Sequence, residues 1–212
     1  MCHDTVNDTL CEKVMKRTIA IAMLTLVVAV AGFYVWRDFI YQPRLCHSRS
    51  GVEAALKTGD LVLSAGGRFK SDVVRWKSES DTEFSHIGIV VRRGSTPMVV
   101  HMSSDLDVIK CQTVSDFITT ADSEALEFYR FVEPIDTVKL TMALDSLLAM
   151  NKLFDGDFDI KDDEKYYCTE LVLKTLRDIG DTRYKQIKYD RSLYPDDIVR
   201  SGLVRSVARI SD

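Results

Sequence analysis

The 212-residue chain is short of several things, and each shortage closes a class of protein. Four prolines and ten glycines are too few for a collagenous or low-complexity chain. No Cys-x-x-Cys spacing occurs among the five cysteines, so a structural zinc site has no support. Positive charge is not in excess: 28 Lys and Arg stand against 32 Asp and Glu, a formal net charge of −4. No arginine-rich run appears and the aromatics are not interleaved with basic residues, so no nucleic-acid partner is expected. Internal repeats are absent. Histidine is scarce, with His3, His47, His86 and His101 the full set. What remains is a globular composition, 46% hydrophobic and 28% charged.

One long apolar run is present. Thr18–Trp36 holds 19 residues without a charge, preceded by Lys13, Lys16 and Arg17 and followed by Arg37 and Asp38. A helix of that length nearly spans a bilayer core of about 30 Å. The basic flank predicts residues 1–17 as a cytoplasmic tail, 18–36 as an inner-membrane anchor, and the rest translocated to the periplasm or cell surface. The competing reading is a cleaved export signal, with Ala29–Ala31 fitting a small-residue processing site. Residues 37–51 read as a linker and 52–212 as one domain.

With Cys2 and Cys11 ahead of the apolar run, three cysteines are left beyond it, an odd number in a disulfide-permissive compartment. Either Cys46 pairs with Cys111, leaving Cys168 free, or all three are unpaired.

Within the domain, Gly59–Ala65 reads as a strand entered by a Gly-Asp turn. Residues 67–78, with Phe69 and Trp76, read as a short helix or ordered loop. Two β-branched runs between Ser85 and Ser104 predict a hairpin around Gly94 and Pro97. Thr113–Thr120 suits a short helix capped by Thr113, and Leu126–Val132 alternates as a strand. Val138–Phe154 has apolar residues at helical spacing. Cys168–Ile179 is a further helix stopped by Gly180, and Pro195 opens another. Strands early and helices around them predict an α+β fold with an antiparallel sheet or small barrel.

The hairpin brings two histidines together. If Val91 pairs with Met98, Gly88 faces His101, and alternation places His86, Gly88 and His101 on one face. The rings are then diagonal neighbours, about 7–8 Å apart at Cα. That face looks the less apolar one, since Ile87, Ile89 and Val91 occupy the other. Cys168 heads the inward stripe of its helix, Leu171, Val172, Thr175, Leu176 and Ile179. It reads equally as a buried core thiol or as a nucleophile. Unpaired N–H groups and the dipole at a helix N-terminus favour a thiolate, lowering its pKa below about 8.5. The same groups can hold an oxyanion.

The segments GDLVL, FSHIGIVV, MVVHMSSD, FDGDFDIKDDEKYYCTELV and YPDDIV, in that order, resemble the circularly permuted papain-like cysteine hydrolases. These are the YiiX-like branch of the NlpC-type cell-wall peptidase superfamily, with lecithin–retinol acyltransferase a more distant relative. The resemblance runs from about Gly59 to Val204. It implies Cys168 as nucleophile, His86 as general base and His101 as the residue that orients the His86 ring. Many relatives carry an acidic residue at that third position, where this chain has histidine. Tyr167 is either a helper at the oxyanion site or a packing residue. The acidic run Asp155–Glu164 lacks the sixth-position Gly and twelfth-position Glu of a calcium loop. No cofactor or metal is expected.

The resulting expectation is a thiol hydrolase cleaving an amide or ester through an acyl-enzyme. Cell-wall peptide or an acylated lipid is the expected substrate, with the membrane as a partner through the N-terminal helix. A non-catalytic envelope binding module and an acyltransferase on the same fold stand as alternatives.

Overall fold

The hairpin of His86 and His101 forms with the expected register, and the sheet grows outward from it. In the computed structural model, which describes residues 5–35, 49–66, 84–103, 106–121, 123–189 and 192–211, β2 (His86–Arg93) and β3 (Thr96–Ser103) pair Val91 with Met98. Pairing continues through Arg92 with Pro97 and Arg93 with Thr96, so the turn is tighter than the sequence suggests. Gly94 takes φ +63° there, a conformation that glycine adopts without a Cβ penalty.

On the far side of β2 lies β1 (Leu61–Gly66); β4 (Val108–Thr113) flanks β3. After β5 (Ser123–Phe131) pairs with β1, the closing strand β8 (Val204–Ser211) pairs with β5. The order is β4-β3-β2-β1-β5-β8, antiparallel at every step. The fold is therefore mixed α+β around an antiparallel sheet. At the entry to β1, buried Asp60 accepts from Arg130 Nε at 2.7 Å and from the Lys57 N–H at 2.7 Å.

Helices cover both faces of this sheet. α2 (Arg49–Ala55) and α3 (Val114–Thr120) lie on one: Val52, Leu56 and Phe117 pack with Val62, Val90, Val99 and Phe128. Thr113 caps α3, its hydroxyl accepting from the Asp116 N–H at 3.0 Å. On the other face α4 (Thr137–Met150) and α5 (Cys168–Asp178) bury Leu140, Leu144, Leu171 and Leu176 against Leu61, Leu63, Ile87 and Ile89. The sequence extends α4 to Phe154, but Asn151 turns left-handed at φ 47° and ends it. Short β6 (Leu153–Phe154) then pairs with β7 (Lys165–Tyr166), which leads directly into α5. A 3-10 turn (Thr182–Gln186) and α6 (Pro195–Arg200), with Pro195 in its first turn, complete the elements.

The chain divides into two units, Met1–Pro43 and Arg44–Asp212. The first contains α1 (Thr5–Val35). Its uncharged part, Thr18–Val35, covers about 27 Å at the helical rise, against about 30 Å for a bilayer core. Among the described residues no helix is long and apolar enough to cross a membrane, so the transmembrane expectation is not supported. Trp36, Cys46 and the 67–78 segment with Phe69 and Trp76 lie outside the described residues. Cys111 and Cys168 are free thiols.

Candidate active site

His86 is the first residue of β2, and His101 lies near the end of β3. Their shared face is covered, contrary to the less apolar surface read from the sequence. Phe117 of α3 packs on both rings, stacked on His86 at 6.0 Å and edge-on to His101 at 5.1 Å between centroids. Under that cover His86 Nε2 and His101 Nδ1 share a hydrogen bond of 3.0 Å. The second site histidine is buried while His86 is half-buried. Burial first, then the neighbouring His86 and Lys110, push the His101 imidazole down to about 2, so it is neutral at physiological pH. Its Nε2 is buried without a hydrogen-bond partner.

Gly88 makes this arrangement fit. A Cβ there would stand 2.6 Å from Val99 Cγ1 and 3.1 Å from His101 Cβ. The space that glycine leaves is filled by the neighbouring strand, including the base of the His101 side chain.

Cys168 opens α5 as expected and is buried among the core residues of the opposite sheet face. Its sulfur lies 3.7 Å from Thr169 Oγ1, and it packs in one cluster with Ile87. Ile87 directly follows His86. The thiol thus meets β2 one peptide from the imidazole, while the ring itself leaves the strand on the other face. Among the described residues no hydrogen bond joins Sγ to the His86 ring. The structure brings His86 and His101 together and sets Cys168 against the backbone beside them.

The ionisation of Cys168 corrects the sequence expectation. Burial pushes the thiol up, and it outweighs the Thr169 hydroxyl and the N–H groups of Ile87, Thr169 and Cys168 that act downward. Tyr167 is a packing residue: 1% exposed, its ring 5.3 Å from Phe158, its hydroxyl accepting from the Leu193 N–H at 3.0 Å. Burial raises its phenol.

Three contributors escape a reading of the sequence. Phe117 looks like an ordinary apolar residue in a polar helix. Glu170 and Lys174 have the spacing of a surface ion pair, yet both are buried. Every residue from Cys168 to Thr175 is buried, so an inward stripe understates how deeply α5 sits.

A strand-borne histidine followed later in the chain by a cysteine at a helix N-terminus is the order of the permuted papain-like hydrolases that the sequence resembles. Residues 55–201 match the family described as permuted papain-like amidase enzyme, YaeF/YiiX, C92 family, and the chain belongs to that family. Papain-like hydrolase activity of the amidase class follows from that membership. The solved structure of the metalloprotein yiiX from Escherichia coli O157:H7 is similar in fold, with a TM-score of 0.58 and 17% identity over 74% of this chain and 98% of that one. No curated protein matches the chain. Although that neighbour is described as a metalloprotein, among the described residues here no three His, Cys, Asp or Glu side chains converge to hold a metal ion.

Proposed function

We propose that this amidase is cysteine-dependent, with Cys168 as nucleophile, His86 as general base and His101 as the residue that orients the base. The observation that carries the reading is the burial of Cys168, at the tip of α5, in one cluster with Ile87, the residue next to an imidazole already fixed by a second histidine. In this reading the His86 ring, which leaves β2 on the face opposite the thiol, reaches Sγ only in the substrate complex, where catalytic hydrogen bonds that are long in the free enzyme tighten.

For His86 to accept the thiol proton at Nδ1, its Nε2–H donates to His101 Nδ1. His101, held neutral by burial, accepts without competing for the proton. The thiolate attacks the amide carbonyl, and the oxyanion is held by N–H groups at the tip of α5. His86 returns its proton to the departing amine, leaving a thioester on Cys168. Water then attacks that thioester, giving its proton to His86, and the acid departs as the thiol is restored.

Cell-wall peptide or an N-acylated lipid is the proposed substrate. The N-terminal unit supports a membrane setting: Ile19, Ile21, Leu24, Leu26 and Val27 are all exposed. A helix apolar on every side is poorly matched to water and well matched to lipid. Wild type and Cys168→Ala incubated with muropeptides and with N-acylated lipids, and read by mass spectrometry, test the assignment. Wild-type release that persists in the alanine variant would eliminate the nucleophile. Release from neither substrate class would overturn the substrate proposal.

A further inference from the structure

The end of β1 away from the histidines borders a cavity that the chemistry above does not use. His86 pairs with Ser64, which lies roughly 10 Å along the strand from Leu61. Just before Leu61, the turn from Lys57 to Asp60 forms one wall of a cavity of about 320 Å³. The end of β5, the segment from Val132 to Ile135 and Arg205 of β8 form the others. That volume is at the small end of ligand pockets and suits a small molecule rather than a polymer. Its apolar wall is held from behind. Gly59, at φ +95°, leaves the space that Ile135 fills, since a Cβ there would stand 2.6 Å from Ile135 Cγ2. Arg183, paired with Asp181, donates to the Glu133 carbonyl at 2.6 Å and the Pro134 carbonyl at 3.2 Å. Its guanidinium lies 4.8 Å from the centroid of the Phe131 ring.

The charges around the cavity do not balance. Arg130 and Arg205 are register partners on β5 and β8, so their side chains leave one face about 5 Å apart at Cβ. Like charges placed directly opposite repel. The Arg130 charge is met: buried Asp60 takes its Nε at 2.7 Å and a terminal nitrogen at 2.8 Å. The second Asp60 oxygen also accepts the Lys57 N–H at 2.7 Å. Among the described residues, neither the Arg205 guanidinium nor the Lys57 ammonium has an ion-pair partner. Glu133 is the other carboxylate on the lining, so three cations face two carboxylates and one positive charge is left over. The chain as a whole is formally −4, which makes this local excess stand out. The Thr58 hydroxyl accepts the Arg92 N–H at 3.0 Å and keeps its own proton to donate.

We propose that this cavity binds a small organic carboxylate, one anionic head on a short apolar body. The head lies between Arg205 and Lys57 and accepts from the guanidinium, the ammonium and the Thr58 hydroxyl. The body rests on Phe131, Pro134 and Ile135. A single negative charge cancels the excess and screens the two arginines from each other, whereas a phosphate dianion overshoots it. The site stands apart from the histidines and the thiol, and it does not depend on which residue is the nucleophile.

The test is the affinity of the full chain for hexanoate at low salt, measured by saturation-transfer NMR. Arg205→Gln and Lys57→Gln are each expected to weaken binding by at least about fivefold, the loss of one charge-assisted hydrogen bond. Hexanol has the same body without the charge and should bind more weakly than hexanoate, as should inorganic phosphate. Hexanoate should raise the melting temperature of wild type and leave that of Arg205→Gln unmoved. Without ligand, Arg205→Gln should melt no lower than wild type, because it removes a like-charge contact. A smaller loss in Arg205→Gln, or hexanol or phosphate binding as tightly as hexanoate, would overturn the proposal. If Arg205→Gln does not fold, Lys57→Gln decides by the same criterion. Hexanoate binding that survives both charge variants but is lost when Cys168 is alkylated would place the carboxylate in the active site and contradict the assignment.

Discussion

The two faces of the central sheet are both apolar, yet they contribute different chemistry. One face packs α4 and α5 on Leu61, Leu63, Ile87 and Ile89, and carries the thiol. The other packs α2 and α3 on Val62, Val90, Val99 and Phe128, and carries the two imidazoles under Phe117. Because side chains alternate along a strand, His86 and Ile87 point to opposite faces while their peptide is shared. Sulfur and base are thus delivered to adjacent positions of β2 from opposite sides of the molecule. The thiol face has its ionisable group pushed toward neutral by burial, and so does the imidazole face. The Cys168 thiol and the His101 imidazole are both stored uncharged.

The comparison breaks most sharply on activity. On the thiol face, Cys168→Ala is expected to remove at least about 10³-fold of amidase turnover with little effect on folding. On the imidazole face, His86→Asn should lower kcat by about 10² to 10⁴-fold. Iodoacetamide labelling of Cys168 near neutral pH should fall with it. Equal activity of either variant with wild type would erase the division of labour.

Smaller effects separate the faces by stability. Gly88→Ala places a methyl group against Val99 and the base of His101, and should cost about 1–3 kcal/mol. Urea unfolding measures it, and a neutral result would mean the strands can part without loss. The His101 imidazole gives a pH signature. Its folded value near 2 lies below the ordinary 6.5, so the unfolded chain binds the extra proton. Stability from this group is intact above about pH 6.5 and falls as pH drops toward 2, by about 1.4 kcal/mol per unit. His101→Gln should flatten that slope in thermal melts between pH 4 and 6.5. An unchanged slope would show that His101 already carries its proton when folded.

Much of this was legible in the residues. The register placing Val91 against Met98, the caps at Thr113 and Gly180, and the start of α5 at Cys168 follow from turn chemistry and period. Strands β4 and β8 are not legible in the residues, because Val108–Thr113 and Val204–Ser211 mix Lys, Gln, Arg and Ser with apolar positions that do not strictly alternate. Their strand identity comes from pairing with β3 and β5. Nor could alternation alone reveal that α2 and α3 cover the histidine face, since cover is a tertiary fact. The depressed thiol expected from the helix N-terminus failed for the same reason: local dipoles are visible in sequence, whereas desolvation depends on what packs above.

The central claim is that Cys168 becomes acylated. Intact-protein and peptide mass spectrometry after rapid acid quench of turnover on a muropeptide or N-acylated lipid measures this directly. A mass increase equal to the acyl group, mapped to Cys168 and absent from Cys168→Ala, is the expected result. Steady turnover with no adduct on Cys168, and with the alanine variant equally active, would contradict the account.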